Sequence, residues 1–285
     1  MKRVFLRASL GLLTAAVLLL LCEGGLALLG LPPAGIYTGD ARTVWWLRPD
    51  LDVSQPFPLE EVSFPLQTNA LGLRGPMPPE SGPWTLALGC STTFGWGVAA
   101  EAAWPSVLSA RLGEPVVNGG IPGWSSHQGV LGAERYLDLG PSRVVLAYIV
   151  RDAQPALRPD ADSTPTPLLL RSHIARGLAA LLQPAPGTQT GFEASLPTSR
   201  VPPAAYGHNL RHLIAAAEAR GASVTLLAFP QVEPAEPWRD VLAGAGQPLR
   251  APTLPSSAFF ARDPIHLTAD GHAQLAALLA DGWSD

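Results

Sequence analysis

The sequence predicts an α/β protein, a three-layer sandwich with a mostly parallel central sheet, preceded by an N-terminal transmembrane helix. Three observations predict it. Short apolar runs rich in Val, Leu and Ile alternate with segments of helical spacing, polar and small residues collect just after those runs, and a long uncharged apolar stretch follows a basic N-terminus. Strands separated by helices imply parallel pairing, with helices covering both faces of the sheet.

The N-terminal element comes first. Lys2, Arg3 and Arg7 precede an uncharged apolar run from Ala8 to Cys22, and beyond Glu23 the apolar character continues from Gly24 to Leu31. About 20 apolar residues span a bilayer and a positive flank stays on the cytoplasmic side, so the rest of the chain is expected outside, periplasmic or at the cell surface. A cleaved signal peptide competes with this reading, although no clear small-x-small site follows the run and Leu21 is bulky for a lipoprotein signal at Cys22. A plain buried core helix is the third reading. Glu23 sits badly in a span and is expected near its outer edge, within reach of headgroup water. Residues 1–31 therefore read as anchor or signal sequence.

Residues 32–80 read as an extended lead-in with short strands. They carry Trp45-Trp46, Pro49-Asp50 and Pro56-Phe57-Pro58 and show no sustained helical period. The stretch Asn69 to Gly75 looks like a turn that lays this arm against the domain. In residues 81–285 four runs suit buried parallel strands: Thr85 to Leu88, Val116 to Val117, Val144 to Val150, and Val224 to Phe229. Helical spacing places Tyr206, Leu210, Leu213, Ile214 and Ala217 on one face, and a last helix runs from Thr268, a fair N-cap, through Leu275, Leu278 and Leu279. Residues 154–203, rich in Pro, Ser and Thr with an apolar helix near Leu168 to Leu182, read as an insertion over the site that shapes specificity.

Composition limits the function classes. With 285 residues, 47% hydrophobic and 15% charged, the chain can bury one substantial core plus appendages. The 19 basic and 23 acidic residues form no long run of either sign, which excludes the electrostatic footprint of a nucleic-acid binder. The 30 prolines and 28 glycines are spread through the chain, which indicates loops rather than low complexity. Cys22 lies in the apolar N-terminal run and Cys90 at a strand end, so no structural disulfide is expected. No metal-ligand spacing and no phosphate-loop signature is present, so neither a metal nor a cofactor is expected.

In parallel sheets the ligand site lies beyond the carboxyl ends of the strands. There the first run is followed by Gly89-Cys90-Ser91-Thr92-Thr93-Phe94-Gly95-Trp96-Gly97, the second by Asn118-Gly119-Gly120-Ile121-Pro122-Gly123-Trp124-Ser125, and the third by Arg151-Asp152. Asp263-Pro264-Ile265-His266 precedes the last helix. Ser91 sits at a strand-to-helix turn, which presents a hydroxyl beside main-chain N–H groups, although a serine there can also simply cap the helix. Asp263 and His266 are three apart in a loop, a spacing that lets the carboxylate hold one ring nitrogen while the other faces the serine. His127, His173, His208, His212 and His272 lack such a context and read as surface or packing residues. Cys90 is an alternative nucleophile, but adjacent side chains leaving a strand point to opposite faces, so Cys90 and Ser91 should not both reach His266.

This ordered set, over about residues 69 to 283, resembles the SGNH (GDSL-type) hydrolase superfamily and in particular its membrane-anchored bacterial members. The resemblance implies a flavodoxin-like sheet, Ser91 as nucleophile, His266 as base and Asp263 as its partner. It also implies an oxyanion hole made of the Ser91 N–H, the Gly123 N–H and an asparagine side chain after the third strand. Pro122-Gly123 would form a turn in any case. Two positions depart from the family pattern: Cys90 stands where aspartate is usual in Gly-Asp-Ser, and Arg151 stands where the asparagine is expected. Arg151 can bind an oxyanion or an anionic substrate group, or it can pair with Asp152 and do nothing more.

The resulting expectation is an extracytoplasmic serine esterase or deacylase acting on a small-molecule or glycan ester, with a membrane as its other partner and no nucleic acid. Two alternatives stand beside it: O-acetyl transfer to or from an envelope polysaccharide, and a catalytically retired domain that binds or scaffolds.

Overall fold

The computed structural model describes residues 2–31, 35–162, 172–182, 196–230 and 236–283. The chain divides into two compact units, one of Met1–Trp46 with Pro165–Ala185 and one of Leu47–Thr164 with Pro186–Asp285.

The first unit is built on the helix Lys2–Leu28. Its stretch Ser9–Leu28 has a mean hydropathy of 2.1 and is long and apolar enough to cross a membrane, a property that signal sequences share. Leu12, Leu18, Leu20 and Leu21 are all exposed, as a lipid-facing surface would be. β1 (Tyr37–Asp40) and β2 (Val44–Leu47) form a two-stranded sheet, and Asp40 Oδ1 closes the turn between them by accepting from the N–H groups of Arg42 and Thr43 at 2.9 Å. The apolar helix expected near Leu168 to Leu182 is described over His173–Leu182, and the part of that expectation before Ser172 lies outside the described residues. This helix packs against Lys2–Leu28. Glu23 finds a definite partner there: its carboxylate accepts from Ser172 Oγ at 3.0 Å, His173 N at 2.5 Å and Ile174 N at 3.0 Å. The two main-chain groups are orphan donors of a helix N-terminus, where a negative charge is favoured.

The second unit opens with the antiparallel hairpin of β3 (Asp52–Phe57) and β4 (Val62–Gln67). Phe57, Phe64 and Leu66 share one face of the hairpin and are buried, whereas Val53 and Val62, on that same face, are exposed. The central sheet contains β5 (Thr85–Gly89), β6 (Val116–Gly120) and β7 (Arg143–Ala147). β8 (Pro155–Ala156) pairs antiparallel with β9 (Thr198–Ser199) and so closes the base of the 154–203 segment. β10 (Ser223–Leu227) and β11 (Leu249–Arg250) complete the sheet in the order β11-β10-β7-β5-β6, with every pair parallel. The predicted α/β class with a mostly parallel sheet is the observed one.

Helix Trp104–Leu112 packs on Ala269–Ala280, and Ser126–Gly132 packs on Pro203–Glu218. Leu86, Leu88, Val144, Leu146 and Leu226 are almost fully enclosed by these layers. Each such side chain contributes roughly 1.5–3 kcal/mol, enough to make the continuous apolar run, rather than an alternating one, the stable choice for a central strand. The third run leaves the ladder at Ala147, and Tyr148 to Val150 continue buried as the chain turns at the end of the sheet. β11 carries no sequence signal: two residues are too short to show a period, and their pairing with Leu226 and Leu227 is a tertiary event.

Candidate active site

The register sets Gly89 of β5 beside Gly120 of β6 and Ala147 of β7, so the segments that follow these strands emerge together at one end of the sheet. Ser91 is the first residue of the short helix Ser91–Phe94, after Cys90 in extended conformation. The turn lies directly on β6. A Cβ on Gly120 would fall 2.4 Å from Phe94 N, so only glycine lets the Ser91 turn approach that closely.

Ser91, Asp263 and His266 are brought together although the first two lie 172 positions apart in sequence. The hydroxyl of Ser91 lies 2.8 Å from His266 Nε2, and His266 Nδ1 lies 2.7 Å from Asp263 Oδ2. Asp263 Oδ1 accepts from the main-chain N–H of Ile265 at 3.0 Å and of His266 at 3.2 Å, which folds the loop tightly around the carboxylate. Burial acts to raise the Asp263 carboxyl, but the hydrogen bond and charge of His266 and the two main-chain donors outweigh it and hold the group below its ordinary range. An anionic Asp263 places the ring proton on Nδ1 and leaves the Nε2 lone pair to accept from Ser91. All three residues are buried. The edge of Phe57, from the end of β3, stands perpendicular to the His266 ring at 6.2 Å, and Phe260 packs on Phe57 at 5.2 Å.

Neither the main-chain N–H of Ser91 nor that of Gly123 meets an acceptor among the described residues. Gly123 has φ +85, which the Pro-Gly turn requires. Arg151 does not fold back on Asp152: its Nη1 donates to Gln154 Oε1 at 2.7 Å. Asp152 instead accepts from Ser126 N at 3.0 and 3.2 Å, at the start of helix Ser126–Gly132. Burial pushes its carboxyl up to about 7, against the lowering effect of the Ser126 bonds and of Arg200. Cys90 is buried with Sγ 3.3 Å from Thr92 Oγ1, away from the hydrogen-bonded His266 nitrogens.

Several supporting residues were given no role by the sequence. Arg74 is 1% exposed and donates through Nη1 to the carbonyls of Phe94 at 2.6 Å and Gly95 at 2.5 Å, and through Nη2 to that of Val98. Its guanidinium also lies 4.2 Å over the Phe94 ring. Burial pushes its pKa down to about 10, with Glu101 opposing, so it remains a cation at neutral pH. Asn118 Nδ2 donates to Thr93 O at 3.0 Å and Phe94 O at 3.2 Å, so the carbonyl end of the Ser91 turn is braced by two side chains from outside it. Arg200 and Asp160, far apart in sequence, form an ion pair beside Gly123. Of the other histidines, His208 and His212 are exposed, while His272 is buried and accepts the Trp104 N–H at 3.1 Å.

A family model described as GDSL-like lipase/acylhydrolase matches residues 87–274. No curated protein matches the sequence. Among solved structures, the chain is similar to a lipolytic protein of the G-D-S-L family from Desulfitobacterium hafniense, with 13% identity, a TM-score of 0.49, and coverage of 70% of this chain and 99% of that one. It is also similar to the psychrotrophic esterase EstA from Pseudoalteromonas sp., with 14% identity, a TM-score of 0.46, and coverage of 70% and 96%. A GDSL-like lipase from Bacteroides thetaiotaomicron shows 14% identity, a TM-score of 0.42, and coverage of 72% and 90%. At these identities and TM-scores the family match alone carries weight.

Proposed function

The chain belongs to the GDSL-like lipase/acylhydrolase family, and on that premise we propose that it is an extracytoplasmic serine esterase or deacylase working through an acyl-enzyme on Ser91. One observation carries the reading: the continuous hydrogen-bonded line from Ser91 Oγ through His266 to Asp263, at 2.8 and 2.7 Å.

In this reading Ser91 Oγ attacks the acyl carbonyl carbon while His266 Nε2 takes the hydroxyl proton, and Asp263 stabilises the imidazolium. The carbonyl oxygen becomes an oxyanion that accepts from the N–H groups of Ser91 and Gly123. Arg151 is the third candidate donor: beyond the bond to Gln154, its guanidinium has no further acceptor among the described residues. Collapse expels the alcohol, which takes the proton from His266. Water then attacks the acyl-Ser91 ester with His266 as base, releases the acid and restores the serine. The helix Lys2–Leu28 serves as membrane anchor within residues 1–31, and its basic start supports placing residues 81–285, the hydrolase domain, outside.

Labelling of the full-length protein by a fluorophosphonate, paired with hydrolysis of p-nitrophenyl acetate, tests the chemistry. Wild type should label and turn over, and Ser91→Ala should do neither. Absence of labelling in folded wild type would abandon the esterase in favour of a retired binding domain.

A further inference from the structure

Resting on the esterase reading, we infer that Arg200 and Asp160 are positioning residues for the oxyanion site, holding the Gly123 turn so that its N–H stays aimed at the developing negative charge. The pair is built as a fork. Arg200 Nε donates to Asp160 Oδ1 at 3.0 Å and Nη2 to Asp160 Oδ2 at 2.7 Å, with the two side chains only 17% and 11% exposed. Both planar groups are therefore fixed, and the remaining arm, Nη1, donates to the Gly123 carbonyl at 2.8 Å.

The other end of the turn is tied to the same carboxylate. Ser125 caps helix Ser126–Gly132, and its Oγ donates to Asp160 Oδ2 at 2.7 Å. The main chains of the pair are locked as well, Asp160 N donating to Arg200 O at 2.7 Å and Arg200 N to Gln154 O at 2.8 Å. Gly123 is thus held by its carbonyl on one side and through Ser125 on the other.

The arrangement matters because of what Gly123 is. A glycine at positive φ rotates its flanking peptides with little steric resistance, and a donor that must reorganise during the reaction stabilises the transition state poorly. A hydrogen bond to the Gly123 carbonyl fixes the peptide that follows Gly123, and so one side of the pivot about which the Gly123 N–H turns. The demand is greater here than where an asparagine amide completes the hole, because Arg151 stands in its place and is engaged by Gln154. Neither Arg200 nor Asp160 bonds to Ser91, Asp263 or His266, so their influence on chemistry runs through the turn.

The test compares full-length wild type, Arg200→Ala, Arg200→Lys, Asp160→Asn and the double variant Arg200→Ala/Asp160→Asn. Active sites are titrated with fluorophosphonate so that kcat is expressed per competent site. Loss of a whole oxyanion donor costs about 10² to 10³ in rate, so loosening one should cost about 10 to 10² in kcat with KM within about two-fold. Arg200→Lys should fall between, since a lysine keeps one contact of the three, and the double variant should be no worse than Arg200→Ala. The inhibition constant of a boronic acid, which mimics the tetrahedral state, should rise by the same factor as kcat/KM falls. Unchanged kcat per titrated site with only a lower melting temperature would overturn the inference and leave the esterase standing. So would a rise in KM at constant kcat. A wild type that neither labels nor turns over would sink both.

Discussion

Asp263→Asn is the most informative substitution at the site. Asp263 Oδ1 already accepts two main-chain N–H groups, so the amide oxygen of the introduced asparagine would take that place and turn its NH₂ toward His266. The imidazole must then accept at Nδ1 and carry its proton on Nε2, where it would donate to Ser91 instead of accepting from it. The electrostatic loss points the same way. A carboxylate and an imidazolium 2.7 Å apart attract by about 6 kcal/mol at an effective dielectric of about 20. With the side chains 10% and 7% exposed, screening trims this only modestly, to about 4 to 5 kcal/mol, or about 10³ to 10⁴ in rate. Ester hydrolysis by full-length protein in detergent should show kcat reduced by that factor, KM nearly unchanged and fluorophosphonate labelling slowed in parallel. A loss under about ten-fold, with native circular dichroism, would refute the assigned role of Asp263 and the tautomer argument with it.

Other expectations follow from buried groups around the site. Arg74→Met should leave the Gly95 and Val98 carbonyls without their guanidinium donors, lower stability by about 2 to 4 kcal/mol in urea titrations and reduce kcat as the Ser91 turn loosens. Gly120→Ala puts a methyl against the Phe94 main chain and should destabilise by about 3 kcal/mol or more, seen as a lower melting temperature and loss of labelling. Burial depresses the His272 pKa to about 3, with Arg74 and His266 adding to it, so its contribution to stability is full above about 6.5 and is lost as pH falls toward 3. Asp152, raised to about 7, has the opposite sign: its contribution is full below about 3.8 and is lost as pH rises through 7. Unfolding followed against pH should therefore show a flatter acid limb in His272→Asn and a flatter neutral limb in Asp152→Asn, and unchanged limbs would show that these groups titrate as in the unfolded chain.

Four of the five sheet strands, the helices from Pro203 and Ala269, the Thr268 cap and the Asp263–His266 spacing were legible because each is written locally. An apolar run ending in small polar residues is both a strand and the rim of a site, and Asp-x-x-His before a capped helix folds around its own carboxylate. The Thr268 hydroxyl does accept from Gly271 N at 3.1 Å, as an N-cap should. Arg151 shows the limit of such reading, since its partner depended on which neighbour the turn brought within reach, and Gln154 rather than Asp152 occupies that place.

From its residues alone, then, the chain determined an apolar N-terminal helix and a parallel α/β core, because hydrophobic period and short-range spacing are properties of neighbours in sequence, while Ser91, Asp263 and His266 were singled out as a set by the family resemblance of the ordered blocks that carry them. Only the tertiary structure decided that Arg74 braces the Ser91 turn, that Phe57 walls the histidine, that Glu23 caps the helix His173–Leu182, and that Arg200 and Asp160 grip Gly123. Those contacts join residues from about 20 to 200 positions apart, and a buried cation or carboxylate must take whatever partner the packed chain presents, which no local pattern encodes.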